Sequence, residues 1–291
     1  MEWKSEYIKA LVPIYGEREA ESITNLVFEA IVRSNAIHPE KSPQFDDAMA
    51  ASLGEALGRL SKNEPVQYVL GKAYFYDYEF LVDKRVLIPR SETEELVDWI
   101  IKSHQHHIGM KILDIGTGSG CIPIVLDHKL YKPRTYTIDV SQDALDLAEI
   151  NALRLASDVN FFQVDILKER SFTPNPELEF NIIVSNPPYV LESEKKEMAK
   201  NVLDYEPFTA LFVEDSNPLV FYKVIAELAS KQLVHNGFLY FETNESNADE
   251  VAAFMKSLGF INIEIKKDLN NKDRFVRGQR IVVSSSDETP E

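Results

Sequence analysis

Alternation of apolar strand-like runs with amphipathic helical runs is the feature that most constrains the fold of this chain. It begins at residue 91, and the strand-like runs are KILDIG, TYTIDV, VNFFQVD, FNIIVS, GFLYFETN, INIEIKKD and RIVVS. Strands separated by helices of about 10 to 15 residues pair in parallel, with helices on both faces of the sheet. Residues 91–283 are therefore predicted to form an α/β domain with a mostly parallel, doubly wound sheet.

A different pattern, with apolar residues spaced three and four apart, occupies residues 1–72. Its members are Tyr7, Ile8, Leu11, Ile14, Ile23, Leu26, Val27, Ile31, Met49, Leu53, Leu57 and Leu60. Breaks at His38-Pro39, Ser42-Pro43 and Asn63-Glu64-Pro65 predict a small antiparallel helical bundle. Residues 73–90 alternate with period two, which predicts a β-hairpin linker. The last residues, 284–291, are predicted to be a disordered tail.

Net charge limits the partners that this chain can bind. The 291 residues include 47 acidic and 31 basic side chains, for a net charge of −16. Proteins that bind long nucleic acids usually present a basic field, so no nucleic-acid substrate is expected. The charged amino terminus predicts that there is no secretory signal, and the lack of a long apolar run predicts that there is no membrane span. A single cysteine, Cys121, fits a reducing compartment, and we expect a cytoplasmic monomer.

Glycines at alternate positions follow the first strand of the α/β region, in the stretch ILDIGTGSGCIPI. Asp114 precedes Gly116, Gly118 and Gly120, and a helix is predicted to begin directly after them. Glycine permits positive φ and close approach of the backbone to a ligand. The spacing is G-x-G-x-G instead of the G-x-G-x-x-G that cradles a pyrophosphate. We therefore expect a nucleoside ligand with a charged tail and no phosphate.

The next two predicted strands also end in acidic residues. Asp139 follows Gly120 at the spacing at which a carboxylate can accept both ribose hydroxyls, and Asp165 with Ile166 is expected to meet the base. Simpler interpretations exist: the glycines could form a packing turn, and a strand-end aspartate could cap a helix. Three such features in register on successive strands favour the nucleoside site.

A stiff corner, Asn186-Pro187-Pro188-Tyr189, ends the predicted fourth strand FNIIVS. Each residue before a proline is restricted to extended conformations, which fixes the direction of its carbonyl. The Asn186 side-chain oxygen and the Pro187 carbonyl oxygen could accept both N–H bonds of a planar amide or exocyclic amine and aim its nitrogen. Tyr189 would offer a flat face to the same group. The alternative is that Pro-Pro only terminates the strand.

These motifs resemble those of known methyltransferases. Asp114, the Gly116–Gly120 segment and Asp139 resemble the first motifs of class I S-adenosylmethionine-dependent enzymes, which have a Rossmann-like doubly wound sheet. With the NPPY corner, the stretches EPVQYVLG, LIPRSETEELV and YEPFTAL resemble the protein-(glutamine-N5) methyltransferases that modify peptide chain release factors. The resemblance implies transfer of a methyl group to the glutamine of the release factor's Gly-Gly-Gln loop, with the helical domain holding this protein partner and no metal.

Residue roles follow from the resemblance by position. The cofactor would contact Asp114, Gly116, Thr117, Gly118, Ser119, Gly120, Asp139, Asp165, Ile166 and Asn186, and the substrate glutamine would contact Asn186, Pro187, Pro188 and Tyr189. Ile166 stands where the family often has an aromatic residue. Residues 241–251 depart from the family's pattern, so the resemblance assigns no role to Glu242.

Other functions with the same motifs stay open. An adenine or cytosine amino-methyltransferase acting on DNA or RNA shares the NPPY chemistry, as does an enzyme acting on a ribosomal-protein glutamine. A non-catalytic nucleoside-binding module is a third possibility.

Several residues are assigned structural roles. Ser91 and Glu94 are predicted to form a helix capping box, although the resemblance could place Arg90 and Glu94 in the cofactor cleft. The His104, His106 and His107 cluster is interpreted as a surface loop, and Cys121 as a small core residue.

Overall fold

The computed structural model describes residues 2–35, 46–172 and 174–282. Its amino-terminal part consists of α1 (Glu2–Tyr15), α2 (Glu17–Asn35), α3 (Asp47–Leu60) and α4 (Val66–Leu70). Asp46 caps α3 by accepting a hydrogen bond from the Met49 N–H at 2.8 Å. The predicted breaks at His38-Pro39 and Ser42-Pro43 lie outside the described residues.

The core of this helical part contains most of the residues that the three-and-four spacing selects. They include Tyr7, Leu11, Ile23, Val27, Ile31, Met49, Leu53 and Leu60, which are all buried. Ile14 and Leu26 are exposed although they fit the spacing. Periodicity therefore identifies the buried face of each helix but not its edges.

A two-stranded antiparallel hairpin, β1 (Lys72–Phe75) and β2 (Tyr78–Leu81), follows the helices. Asn151 holds the end of the hairpin, because its side-chain oxygen accepts from the Leu81 N–H at 2.7 Å and its amide donates to the Leu81 carbonyl at 2.9 Å. The same amide donates to the Ser119 carbonyl at 3.0 Å. The hairpin is thus hydrogen-bonded to a residue that also contacts the glycine loop.

The rest of the described chain alternates helices and strands. In chain order they are α5 (Ser91–His104), β3 (Lys111–Ile115), α6 (Cys121–Lys129), β4 (Arg134–Asp139), α7 (Gln142–Leu155), β5 (Val159–Gln163), α8 (Ile166–Glu169), β6 (Phe180–Ser185), β7 (Val190–Leu191), α9 (Lys200–Tyr205), β8 (Phe212–Val213), α10 (Val220–Gln232), β9 (Leu233–Glu242), α11 (Ala248–Ser257), β10 (Phe260–Lys267) and β11 (Asp273–Arg280). No helix of the described residues is long and apolar enough to cross a membrane.

Seven strands form one sheet in the order β10-β11-β9-β6-β3-β4-β5. The five strands from β9 to β5 are parallel, and β11 is antiparallel to both of its neighbours. Residues of one strand alternate between the two faces: Leu113 packs in one core cluster and Ile112 in the other. The predicted mostly parallel, doubly wound sheet is confirmed.

Two local predictions are wrong. The last strand is Asp273–Arg280 instead of the run RIVVS that begins at Arg280, because Phe275 and Val276 supply its buried residues. Helix α5 has no capping box at Ser91: Arg90 occupies the N-cap position, and the Glu94 carboxylate accepts from the Tyr76 N–H at 2.8 Å. The predicted disordered tail, residues 284–291, lies outside the described residues.

Candidate active site

The glycine loop between β3 and α6 has three residues in the left-handed region. The φ angles are +85° at Gly116, +53° at Gly118 and +82° at Gly120. A Cβ atom at Gly116 or Gly118 would meet no atom within 4 Å, so these two residues expose their backbone to open space. A Cβ at Gly120 would lie 3.0 Å from Ile124 and 3.1 Å from Ala148. Gly120 therefore permits close packing of α6 and α7.

Asp139, at the carboxyl end of β4, holds this loop in place. Its Oδ2 accepts from the Gly118 N–H at 3.0 Å, and its Oδ1 accepts from the Ser141 N–H at 2.9 Å. Burial raises the pKa of Asp139, while these N–H groups act in the opposite direction. A carboxylate has about four acceptor sites, so each oxygen can still accept a hydroxyl hydrogen.

Asp114 is fully enclosed, one residue before the carboxyl end of β3. The Thr137 hydroxyl donates to its Oδ2 at 2.7 Å, and within the described chain its Oδ1 is buried without a hydrogen-bond partner. Burial raises the pKa of Asp114 to about 7 although the Thr137 hydrogen bond lowers it. This carboxyl lies behind the glycine loop and does not line the cavity described next.

A cavity of about 430 Å³ opens at the carboxyl ends of the parallel strands. The predicted site residues that line it are Gly116, Gly118, Asp139, Asp165, Ile166, Asn186, Pro187 and Pro188. Open α/β sheets bind ligands at this edge. The structure thus brings the glycine loop, the β4 carboxylate and the proline corner to one space. The other predicted residues, Asp114, Thr117, Ser119, Gly120 and Tyr189, are absent from its lining.

Asp165 has a structural partner on each side. One carboxylate oxygen accepts from the Leu167 N–H at 3.1 Å and caps α8, and the other pairs with Lys168 at 2.8 Å. It follows β5 by two residues instead of ending that strand. The helix-capping alternative thus describes its contacts, although Asp165 also lines the cavity. Ile166 beside it is buried.

The NPPY corner begins where β6 ends beside β3. Ser185 fixes this end, because its hydroxyl donates to the Ile115 carbonyl at 2.6 Å. The Asn186 amide nitrogen donates to the Thr93 hydroxyl at 3.1 Å. In the described part of the chain, neither the Asn186 side-chain oxygen nor the Pro187 carbonyl accepts a hydrogen bond. These two oxygens, which the sequence predicted to accept the N–H bonds of a substrate, are therefore free to accept hydrogen bonds from a ligand.

Tyr189 is not among the residues that line the cavity. It is half-buried and packs against the core cluster on the side of the sheet covered by α10 and α11. Burial raises the pKa of its phenol well above the usual range, with the nearby Glu242 carboxylate acting in the same direction and Arg274 opposing it. The predicted stacking of its ring on a substrate therefore stays a prediction.

The sequence did not identify Thr93, Glu206 or Glu242 as site residues. Glu206 is buried, pairs with Arg90 at 2.6 Å and accepts from the Ile88 N–H at 3.2 Å. It thereby joins the stretch before α5 to the YEPFTAL stretch, whose residues Pro207, Phe208, Thr209 and Ala210 line the cavity. Neither Arg90 nor Glu94 lines the cleft. The available signal for Glu206 in the sequence was an acidic residue placed between Tyr205 and Pro207.

The histidine cluster is not a surface loop throughout. His104 is the last residue of α5 and is buried, with its Nε2 lying 2.8 Å from the Tyr240 hydroxyl. Burial lowers the pKa of His104 to about 4. Cys121 is buried at the start of α6, where burial raises the pKa of its thiol to about 12, and its predicted role as a core residue is confirmed.

Comparison with known proteins identifies the family. Residues 93–205 match the model of the methyltransferase small domain. The release factor glutamine methyltransferase of Flavobacterium psychrophilum is 41% identical over 280 residues, which cover 94% of this chain and 97% of that protein. The chain belongs to the release factor glutamine methyltransferase family. A member from Bacteroides thetaiotaomicron is 39% identical over 94% of this chain and 98% of its own length.

A solved structure of the hMettl16 catalytic domain in complex with an RNA hairpin has a TM-score of 0.54 and 14% identity, and the match covers 84% of this chain and 85% of that one. At this identity the likeness concerns the fold alone. The predicted family and fold class are confirmed, and the chain is an S-adenosylmethionine-dependent methyltransferase.

Proposed function

We propose that this release factor glutamine methyltransferase family member transfers a methyl group from S-adenosylmethionine to the side-chain amide nitrogen of the glutamine in a release factor's Gly-Gly-Gln motif. One observation carries the proposal: Asn186 and Pro187 line the same cavity as Gly116, Gly118 and Asp139. A planar amide held at the corner would therefore face a nucleoside held at the loop. Identity to relatives of this name over nearly the full length of both chains supports the substrate class.

The residues around the cavity fit the cofactor. Gly116 and Gly118 leave open space where side chains would stand, and Asp139 keeps acceptor capacity on both carboxylate oxygens. We assign Asp139 to the ribose hydroxyls, Ile166 to the base, and the N–H groups of the glycine loop to the charged tail. S-adenosylmethionine supplies an electrophilic methyl group on a sulfonium. The shape of the glycine loop would depend on four predicted residues that do not line the cavity: Asp114, Thr117, Ser119 and Gly120.

Asn186 and Pro187 would position the nucleophile. An amide nitrogen is a poor nucleophile because its lone pair is delocalised into the carbonyl, so orientation must supply much of the rate. The two free oxygens can accept both N–H bonds of a glutamine side chain. As the nitrogen gains positive charge during attack, these hydrogen bonds strengthen, which favours the transition state over the bound substrate.

The division of the chain into parts is also a proposal. Residues 1–72 would recognise the protein partner, residues 73–90 would link the parts, and residues 91–283 would carry out catalysis. We also propose a monomer as the working unit. Release factors act on ribosomes, so we propose the cytoplasm as its location. The net charge of −16 supports a protein substrate over a nucleic acid.

A methylation assay tests the proposed function directly. The purified enzyme is incubated with labelled S-adenosylmethionine and a release factor, and the methyl group is mapped by mass spectrometry. Label on the Gly-Gly-Gln glutamine, lost when that glutamine is replaced by alanine, is the expected result. Oligonucleotides and ribosomal proteins are tested as alternative substrates in parallel reactions. Asn186→Ala should lower transfer strongly, whereas Asn160→Ala, which changes an exposed asparagine on β5, should not. Label on an oligonucleotide alone would overturn the proposal.

A further inference from the structure

Three buried or half-buried polar side chains from distant parts of the sequence meet beside the proline corner. Glu242 ends β9 and Asn186 follows β6, and their preceding residues, Phe241 and Ser185, are paired in the sheet. Thr93, in the first turn of α5, lies between the two: its hydroxyl donates to Glu242 at 2.7 Å and accepts from Asn186 at 3.1 Å. Thr93 and Glu242 are 3% and 1% exposed, so the hydrogen bond between them is shielded from water.

The directions of these bonds follow from what each group can donate. An ionised carboxylate only accepts, so the single hydrogen of the Thr93 hydroxyl is directed to Glu242. The hydroxyl oxygen can then only accept from the third partner, and the Asn186 amide must present its nitrogen to α5. Its oxygen consequently points away from Thr93, and among the described residues none donates a hydrogen bond to it.

We propose that Thr93 and Glu242 are positioning residues that fix the Asn186 amide with its oxygen toward the substrate. The proposal rests on the proposed function, because it supposes that Asn186 accepts a hydrogen bond from a substrate N–H. If the Asn186 amide were flipped, its NH2 group would face the substrate NH2 group, and two hydrogen-bond donors would meet. The carboxylate selects the acceptor orientation through one hydroxyl, without touching the substrate.

The Thr93 hydroxyl is the group whose hydrogen bond to Glu242 is short, at 2.7 Å, and the Asn186 amide also lies close enough to lower the pKa of this carboxyl. The guanidinium of Arg274 also lowers the pKa of Glu242, but its hydrogen bonds go to Asp268 at 3.2 Å and to the Thr243 carbonyl at 3.0 Å. Burial raises the pKa of Glu242 to about 7, with Thr93, Arg274 and the Asn186 amide lowering it and Glu92 raising it. Other titratable groups near this carboxyl include the Tyr189 and Tyr222 phenols and the Cys121 thiol. Protonation lets Glu242 donate to Thr93, which frees the hydroxyl hydrogen to turn toward Asn186.

Substitution of Thr93 tests the proposal at nearly constant side-chain volume. Thr93→Val removes the hydroxyl, and Thr93→Ser keeps it. Methyl transfer to the release factor is measured at saturating S-adenosylmethionine across the pH range around 7. We expect Thr93→Val to lower kcat about 10- to 100-fold, the effect of a misplaced orienting group, with cofactor affinity within about twofold of wild type. Thr93→Ser should restore most of kcat.

The matched control is Thr137→Val, which removes a hydroxyl at the same distance, 2.7 Å, from the equally buried Asp114 carboxyl on the cofactor side. We expect this change to weaken cofactor binding while kcat at saturation stays near wild type. The kcat of the wild type should fall as pH is lowered through about 7, and Glu242→Gln should remove this dependence. Glu242→Gln should also have little further effect on kcat in the Thr93→Val background.

Three results would overturn the proposal. One is a Thr93→Val enzyme with wild-type kcat and pH profile. The second is equal loss in Thr93→Val and Thr93→Ser, which indicates a packing role. The third is multiplicative effects of Thr93→Val and Glu242→Gln. If Thr93→Val does not fold, the kcat of Thr93→Ser and the pH profile of Glu242→Gln decide the question. A wild-type enzyme that does not methylate the release factor contradicts the proposed function, which distinguishes the two failures.

Discussion

Asp139 Oδ2 accepts a hydrogen bond from the Gly118 N–H at 3.0 Å, so the end of β4 holds the glycine loop that follows β3. This bond makes two candidate cofactor contacts interdependent. Loss of the Asp139 carboxylate removes an acceptor from the cavity and also releases the backbone of Gly118. Asn186, on the other side of β3, shares no hydrogen bond with this pair.

Asp139→Ala and Asn186→Ala should therefore affect different steps. We expect Asp139→Ala to weaken S-adenosylmethionine binding about 10- to 100-fold, the usual effect of losing hydrogen bonds to a charged group. Asn186→Ala should lower kcat strongly and leave cofactor affinity within about twofold. Calorimetric titration with the cofactor and steady-state methylation kinetics separate the two effects. Equal loss of cofactor binding in both variants would contradict this division.

Ionisation of Asp114 should reduce stability as pH rises. Because burial raises its folded pKa to about 7 from 3.8, the folded state binds more protons than the unfolded state between these values. Its contribution to the free energy of unfolding is therefore greatest at low pH and is lost as pH approaches 7. Asp114→Asn should raise the melting temperature at about pH 8, by about 2 to 4 °C for each kcal/mol gained in the free energy of unfolding. It should have little effect near pH 4. Thermal unfolding without cofactor measures this, and a difference independent of pH would contradict it.

Gly120 and Gly118 should respond differently to alanine although both have positive φ. Gly120→Ala adds a Cβ that meets Ile124 and Ala148 at about 3 Å, so α6 and α7 must separate slightly. We expect it to cost about 1 to 3 kcal/mol of packing beyond the backbone strain. Gly118→Ala adds a methyl group to open space and should mainly weaken cofactor binding. Melting temperature and cofactor titration of both variants give the comparison, and greater destabilisation by Gly118→Ala would contradict it.

The Arg90–Glu206 pair should be asymmetric in its contribution to stability. The side chain of Glu206 is 1% exposed and that of Arg90 is 36% exposed. Arg90→Ala leaves a buried carboxylate without its cation, and we expect a loss of about 3 to 5 kcal/mol. Glu206→Ala leaves a partly hydrated arginine and one unpaired Ile88 N–H, which costs about 1 to 3 kcal/mol. In thermal unfolding, the melting temperature of Arg90→Ala should therefore be lower than that of Glu206→Ala. The reverse order would contradict this prediction.

The sequence was sufficient for the large elements because their signal is local. Alternation of periods two and 3.6 identified the parallel strands, and the glycine spacing placed the loop at the carboxyl end of β3. The segment that contains β7, α9 and β8 was not predicted. Its strands have two residues each and pair only with one another, so they have no periodicity to detect.

The Thr93–Glu242 contact could not be found from spacing, because it joins positions that are 149 residues apart. His104 was misassigned for a different reason. It continues the buried stripe of Leu96 and Ile100 at intervals of four, but its polar neighbours made the segment resemble a loop. Helical spacing, extended by one more turn, would have placed it in the core.

Asn151 uses one side-chain amide for both the hairpin and the glycine loop, through Leu81 and the Ser119 carbonyl. No second polar side chain of the described residues donates to or accepts from the Leu81 peptide group. A tilt of the hairpin that broke these bonds would leave the amide nitrogen held only by the loop. A displacement of the hairpin would therefore reach the backbone of the glycine loop directly through this side chain, whereas the Tyr76–Glu94 hydrogen bond ties the same hairpin to α5.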